Sequence, residues 1–489
     1  MEDTHRSNQT YGDQIWDLVL RTYDLGFTSF GGPPSHFHIF HRRFVEEGSK
    51  RPWIDEQTYL ELFAICQALP GPASTKMFFC IALLRAGFLA AMLAFLIWSL
   101  PGAIAMFSLA IGVRRIGEVL PAPAYALLSG LNAATVGIIA VAAVQLARKA
   151  ITDPLSRLLV TLGGCAGVCY NALWYFPTIM VLGGSTTLIW DCWLRAKWGR
   201  FLARRQQARQ SANPSRVVEE NEAPATDITS RETSSIALVR RNVAPAAAGE
   251  TPASPATPRP ESRISVVYGL VIIVVFFAMF AGVMVARALA SNAPRTFQLF
   301  SNMFLAGTVI FGGGPVVIPL LREYVVQPGW VSPRDFLIGL AIIQACPGPN
   351  FNFAVFLGAL TLPLTPASMA LGALIGFSGI FAPGLILSVG FQSLWRALRS
   401  KPAVVSILRG INATAVGLVF TAVYRLWEIG YLTVDEGQGI SLGKNPWWVA
   451  VTAGTFVMGD SFGVPAAVAI LSGGVLGLAW WGVVGARGG

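Results

Sequence analysis

Two Pro-Gly-Pro triplets, Pro70-Gly71-Pro72 and Pro347-Gly348-Pro349, each interrupt a long apolar run. Each follows a glutamine and an alanine, in Gln67-Ala68-Leu69 and Gln344-Ala345-Cys346. Proline has no backbone N–H and its ring collides with the preceding turn, so a regular helix does not pass through such a triplet. At membrane depth the freed backbone groups persist only where protein or a water-filled cavity satisfies them. The chain resumes after the first break with Ser74, Thr75 and Lys76, and after the second with Asn350 and Asn352. A helix starting at a break turns its unpaired N–H groups and the positive end of its dipole toward the opening, which suits an anion. The expected ligands are Gly71, Ser74, Thr75, Lys76, Gly348, Asn350 and Asn352, with Pro70, Pro72, Pro347 and Pro349 holding the backbone open. Broken apolar segments at corresponding places in two halves of a chain are the sequence pointer to a transporter's binding site.

Lys76 is the sole charged residue between Leu62 and Leu84, and Phe353 stands at the matching place in the second half. A charge at the bilayer centre costs about 2.5–3.5 kcal/mol, so it needs a partner or a wet cavity. Anion ligation is the functional reading. The alternatives are snorkelling to an interface and pairing with a carboxylate such as Glu61.

A second set of motifs is Gly26-Phe27-Thr28-Ser29-Phe30-Gly31-Gly32-Pro33-Pro34 and Gly307-Thr308-Val309-Ile310-Phe311-Gly312-Gly313-Gly314-Pro315. Gly31, Gly32, Gly312, Gly313 and Gly314 are candidates either for close helix packing or for a backbone nest that binds an anion. Arg322 beyond the second motif suits an oxyanion through its planar fork, although basic residues just past a helix also serve as interfacial anchors. Glu61, Glu323 and Asp460 are the candidate proton carriers. Asn132 and Asn412, polar groups inside apolar runs, are expected to bridge helices by hydrogen bonds and to shape gating. His36, His38 and His41 lie with Arg42, Arg43, Glu46 and Glu47 in what reads as an interfacial amphipathic stretch, not a metal site. The six cysteines show no Cys-x-x-Cys spacing, and no metal or other cofactor is called for.

The elements that carry these residues follow from composition. With 54% hydrophobic and 13% charged residues, the chain has about half the charge of a soluble domain. The net charge of +10 resides between apolar runs and in a central linker, which is positive-inside patterning and not a nucleic-acid-binding face. Six apolar segments are expected near 15–32, 57–82, 86–111, 121–147, 157–173 and 174–191, and a matching six near 297–321, 334–361, 366–391, 402–426, 446–458 and 463–484. The domains read as a first repeat over 1–191, a disordered basic linker over 192–263, a linking transmembrane helix over 264–290, and a second repeat over 291–489. Pro101-Gly102 with Pro383-Gly384, and Gly130-Leu131-Asn132-Ala133 with Gly410-Ile411-Asn412-Ala413, extend the duplication. Four motif pairs in one order at nearly constant separation establish internal repetition. The fold class is an all-α polytopic membrane protein.

Orientation follows from basic residues near segment ends. Arg195, Lys197, Arg200, Arg204, Arg205 and Arg209 follow the sixth segment, which places the linker and the N-terminus inside, with Arg148 and Lys149. Six, one and six crossings then make the halves inverted repeats. Arg114 and Arg115 fall outside, against the rule. No signal peptide is read at the polar N-terminus.

Phe311-Gly312-Gly313-Gly314-Pro315 with the apolar run to Leu321, Phe30-Gly31-Gly32-Pro33-Pro34, and Gln-Ala-x-Pro-Gly-Pro twice resemble the chromate ion transporter family in its long, two-domain form. The enlarged linker is similar to eukaryotic, often fungal, members. The resemblance implies transport of chromate, a tetrahedral dianion shaped like sulfate, usually outward and driven by the membrane potential or the proton gradient; the two proline-broken elements suit alternating access, with the anion held at the repeat interface. The implied location is the plasma membrane. The expected partners are the oxyanion and the lipid bilayer, with a homodimer allowed for and no nucleic acid. An oxyanion channel of the same architecture is the nearest alternative. A membrane enzyme is the remote one, because no nucleophile, base and acid set falls at membrane depth.

Overall fold

Proline, glycine and small capping residues set most helix boundaries. The structure, a computed structural model, describes residues 11–30, 32–46, 52–115, 120–170, 175–194, 265–290, 292–310, 314–363, 365–398, 401–433 and 439–484. Residues 1–189 and 262–489 form one compact unit. Residues 190–261 form another, of which Trp190–Leu194, a single helical turn, is described. The expected linker beyond Leu194 therefore lies outside the described residues, as do Gly31, Gly312 and Gly313.

The first half runs through α1 (Tyr11–Thr22), α2 (Leu25–Thr28), α3 (Gly32–Phe44), α4 (Glu56–Ala68), α5 (Ala73–Ala86), α6 (Phe88–Arg115), α7 (Ala122–Ala150), α8 (Pro154–Cys169) and α9 (Tyr175–Ile189). The lone helix α10 (Val266–Leu289) follows. The second half comprises α11 (Arg295–Val309), α12 (Gly314–Val325), α13 (Pro333–Ala345), α14 (Phe353–Thr361), α15 (Pro366–Leu398), α16 (Pro402–Trp427), α17 (Pro446–Asp460) and α18 (Ala466–Val483). Helix starts follow a recurring chemistry: Asp153 caps α8 ahead of Pro154, Ser332 caps α13 ahead of Pro333, and Asn445 caps α17 ahead of Pro446.

Six described helices are long and apolar enough to cross a membrane: α6, α7, α10, most of α15, α16 and α18. The chain is thus an integral membrane protein of the all-α class. The segments expected at 57–82 and 334–361 are each two shorter helices meeting at a Pro-Gly-Pro triplet. The glycine motif likewise separates α2 from α3, and α11 from α12.

The halves are interleaved. Helix α7 of the first half packs on α17 and α18 of the second, while α16 of the second packs on α8 and α9 of the first. Lipid tails are as apolar as leucine, so such contacts rest on close approach more than on apolar burial. Glycine supplies that approach. A Cβ on Gly130 would overlap the Gly473 carbonyl, and one on Gly410 would overlap the Gly183 carbonyl. Thr187 adds an inter-half hydrogen bond from its hydroxyl to the Ser406 carbonyl at 2.6 Å. Replacing Gly410 with valine would force α9 and α16 apart.

Two more contacts join helices distant in sequence. Arg114, for which the charge rule gave no role, donates to the Leu360 and Leu362 carbonyls and so caps the C-terminal end of α14. The lone helix α10 lies against α15, where Gly269 approaches Gly390 and Ser393. Its other faces expose Val267, Tyr268, Val271 and Val274, as expected of a peripheral helix in lipid.

Candidate functional site

The two breaks clasp each other's half. Gly71 takes φ +95° and donates its N–H to the Ile310 carbonyl at 2.7 Å. Gly348 takes φ +84° and donates to the Ser29 carbonyl at 2.9 Å. Ser29 and Ile310 occupy matching places in the paired glycine motifs, so the two hydrogen bonds are counterparts. Both glycines are in the left-handed region, where an L-residue is strained.

The matching Pro-Gly pairs of α6 and α15 seat the clasps. Gly384 faces Gly71, and a Cβ on Gly71 would come 2.9 Å from the Gly384 Cα. On the other side, a Cβ on Gly102 would meet the Asn352 amide and lie 3.4 Å from the Pro347 carbonyl. Asn352 is buried and donates from Nδ2 to the Ser99 carbonyl at 2.9 Å, one turn from Gly102.

Lys76 is fully buried, with 0% exposure. Its ammonium donates to the Leu69 carbonyl at 2.5 Å and to the Pro70 carbonyl at 2.9 Å. These carbonyls belong to the C-terminal end of α4, where the break removes the usual donors and the dipole is negative. Lys76 thus supplies charge and hydrogen bonds to its own break. Glu61, the carboxylate considered as its partner, accepts instead from Gln57 Nε2 at 3.5 Å.

Between the breaks lies a buried seam of side chains. His36 places Nδ1 3.1 Å from Ser74 Oγ and Nε2 3.2 Å from the Ser29 carbonyl. A carbonyl accepts only, so Nε2 carries the proton and Nδ1 accepts from the Ser74 hydroxyl in the neutral ring. The ring meets Trp98 edge-on at 4.9 Å, and Trp98 Nε1 donates to Thr75 Oγ1 at 3.1 Å. Next to them is a gap of about 10 Å³, lined by Pro33, His36, Pro72, Ala73, Ser74, Pro349, Asn350 and Phe351. That is about the space one water needs.

The gap shares Pro33, Ala73 and Asn350 with the lining of a far larger cavity of about 670 Å³. Its polar lining comprises Thr28, Ser35, Gln67, Gln145, Lys149, Gln344, Asn350 and Asn412. The rest is mainly apolar, including Phe37, Phe63, Ile138, Val141 and Val416. Among the described residues no carboxylate contributes to the lining. Gln67 and Gln344 come from matching positions just before the two breaks. Asn350 Nδ2 donates to Gln344 Oε1 at 3.0 Å, which leaves the Gln344 NH2 group free to serve a guest. The chemistry on offer is neutral hydrogen-bond donation from both halves and one exposed ammonium, Lys149.

Of the expected ligands, Asn350 and Gly32 line the cavity and Ser74 lines the gap. Thr75, Lys76 and Asn352 are buried in the supporting layer, with the partners given above. Gly314 begins α12. Arg322 lies beside Glu323, with Nη1 3.9 Å from Oε1, and neither lines the cavity. Glu323 is buried. Asp460 ends α17 and pairs with Arg148 at 3.2 Å. Asn412 lines the cavity, while Asn132 is buried in α7 with no hydrogen-bond partner for either amide atom among the described residues.

A family model described as chromate transporter matches residues 16–189 and 297–478, which takes in both halves and most of the chain. The chain belongs to the chromate transporter family. Among curated members it is 24% identical to the chromate transport protein of Pseudomonas aeruginosa over 421 residues, 86% of this chain and 80% of that one. It is 24% identical to the probable chromate transport protein of Synechococcus elongatus over 402 residues, 82% and 81% of the two chains. It is 22% identical to the chromate transport protein of Cupriavidus metallidurans over 407 residues, 83% and 81%. No solved structure matches.

Within this family member, sequence reasoning missed Gln67, Gln344, Gln145, Lys149 and His36. The two glutamines stood in the quoted motif, and their repetition ahead of each break was the available signal. His36 has one too: with Phe40 and Phe44 it follows the i, i+4 spacing of a buried helix face. Gln145 and Lys149 carry no motif.

Proposed function

We propose that the chain is a secondary transporter that moves chromate, or a related tetrahedral oxyanion such as sulfate, by alternating access between inverted repeats. One observation carries the reading. A cavity of about 670 Å³ between the halves is lined by amides from both Pro-Gly-Pro arms, an ammonium and, among the described residues, no carboxylate. Neutral donors held in a low-dielectric site, with one ammonium in the lining and no competing negative charge among the described residues, suit a dianion. By the charge rule Arg148 and Lys149 lie inside, so the cavity opens to the cytoplasm and the conformation is inward-facing.

The seam favours a carrier over a channel. Beside the cavity the space between the breaks is a gap of about 10 Å³, whereas a conducting pore needs a continuous polar path. Opening the far side then requires the crossed clasps at Gly71 and Gly348 to move. The plasma membrane is the proposed location.

The test is exchange in reconstituted vesicles loaded with unlabelled chromate or sulfate. Saturable uptake of the labelled anion, accelerated by the loaded anion, is the expected result. Unsaturated flux with single-channel conductance would establish the channel instead, and absence of any oxyanion flux would remove the reading.

A further inference from the structure

We propose that His36 is the proton-binding site of the seam, linking protonation of one imidazole to passage of the anion between the two breaks. The proposal rests on the transport reading above. Its support is geometric. His36 is 1% exposed, yet it borders the gap between the breaks, which shares Pro33, Ala73 and Asn350 with the lining of the large cavity. Its two nitrogens tie two elements together: Nδ1 meets the Ser74 hydroxyl, which lines the gap at the start of α5, and Nε2 meets the Ser29 carbonyl in the first glycine motif.

The Ser29 carbonyl also accepts the Gly348 N–H, so one oxygen serves both the imidazole and the clasp of the second half. In the neutral ring, Ser74 spends its hydroxyl hydrogen on Nδ1. A proton taken up at Nδ1 reverses that hydrogen bond: Nδ1–H donates to Ser74 Oγ, and the hydroxyl hydrogen turns free toward the gap beside Asn350. The seam then carries a positive charge and a fresh donor, both attractive to a dianion.

The groups around the ring leave this role to His36. On α3 itself, His38 is exposed, His41 is bound to Glu56 at 2.6 Å, and Arg43 is engaged by Asp24. From α5 comes Lys76, whose ammonium is directed at the Leu69 and Pro70 carbonyls. From α6 comes Trp98, and from the stretch ahead of α14 comes Asn350. None of those facing the ring is a carboxylate.

The decisive measurement is ring 15N spectroscopy on the full chain in lipid nanodiscs. The variant His5→Gln, His38→Gln, His41→Gln leaves His36 as the single histidine of the original four. Without anion the Nε2–H tautomer is expected at pH 8. Added sulfate is expected to raise the pH of conversion to imidazolium by about one unit or more, the effect of a nearby opposite charge. A ring whose titration sulfate does not move overturns the proposal. If the triple variant does not fold, the wild type and His36→Gln are compared, and the difference between their spectra supplies the His36 signal.

A vesicle arm separates failures. His36→Gln is expected to lose the acceleration of sulfate exchange by an imposed proton gradient, read as the ratio of rates with and without the gradient. Retained acceleration defeats the proposal. Wild-type vesicles without any exchange would defeat the transport reading, and the ring titration would still decide His36.

Discussion

Gly348 donates its backbone N–H to the carbonyl of Ser29 at 2.9 Å, and Gly71 makes the counterpart bond to Ile310 at 2.7 Å. Each break is therefore satisfied by the opposite half, as backbone at membrane depth requires. In this conformation the two glycine amides are engaged with protein, and contact with a guest falls to side chains: Gln67, Gln344, Asn350 and their neighbours. The bonds also make the breaks the natural latch of any rearrangement that separates the halves.

Gly71→Ala is expected to destabilise the protein more than Gly348→Ala. Both substitutions force a side chain into the left-handed region, at about 1–2 kcal/mol. At Gly71 the new Cβ also lies 2.9 Å from the Gly384 Cα, backbone that cannot yield, while at Gly348 the nearest atom is the Trp98 carbonyl at 3.3 Å. Melting curves in detergent should rank parent, Gly348→Ala, Gly71→Ala in falling order. The reverse order would show that the second break carries the greater constraint.

Lys76→Met should lower the melting temperature even with no anion present. The Leu69 and Pro70 carbonyls would be left buried without donors, at about 1–3 kcal/mol each. Lys76→Gln offers an amide with two N–H groups and should recover at least part of the loss. A Lys76→Met protein that melts like the parent and loses only anion protection would return Lys76 to the role of direct ligand.

The breaks, the duplicated motifs and the all-helical class were legible because proline, glycine and hydropathy act locally. Which helix touches which was not. Internal repetition shows that α7 and α16 are counterparts, but nothing in it says that each packs on the last helices of the other half. Lys76 illustrates the limit in another way. Its charge in an apolar run called for a partner, and a carbonyl six or seven residues back meets that need as well as an anion does, a choice the sequence alone does not make. Arg114, which the charge count puts on the outer side, has a structural use that the sequence did not show: it donates to the Leu360 and Leu362 carbonyls.

Gln67→Ala and Gln344→Ala should each weaken oxyanion binding by about tenfold, the loss of one hydrogen bond to a charged guest at about 1.5 kcal/mol. Gln67→Glu and Gln344→Glu should abolish it near neutral pH, because the cavity lining would gain a negative charge and no compensating cation. Titration calorimetry with sulfate reads both. Unchanged affinity in the two alanine variants would locate the anion away from the Pro-Gly-Pro arms.

Lys149 is the ammonium of the cavity lining and is exposed, so its action on an approaching dianion passes through solvent and is screened by salt. Lys149→Ala should raise the apparent KM for oxyanion uptake by about threefold at low ionic strength, where the Debye length reaches about 30 Å at 0.01 M. The difference from the parent should fade as salt is raised toward about 1 M, where the screening length is about 3 Å. Lys149→Glu reverses the sign of the field and should have the larger effect at low salt, with Vmax altered less than KM because the residue attracts the guest and does not hold the seam. Initial uptake rates in vesicles at a series of salt concentrations measure this. A KM change that persists undiminished at high salt would mean that Lys149 contacts the bound anion directly, inside the cavity and not at its mouth.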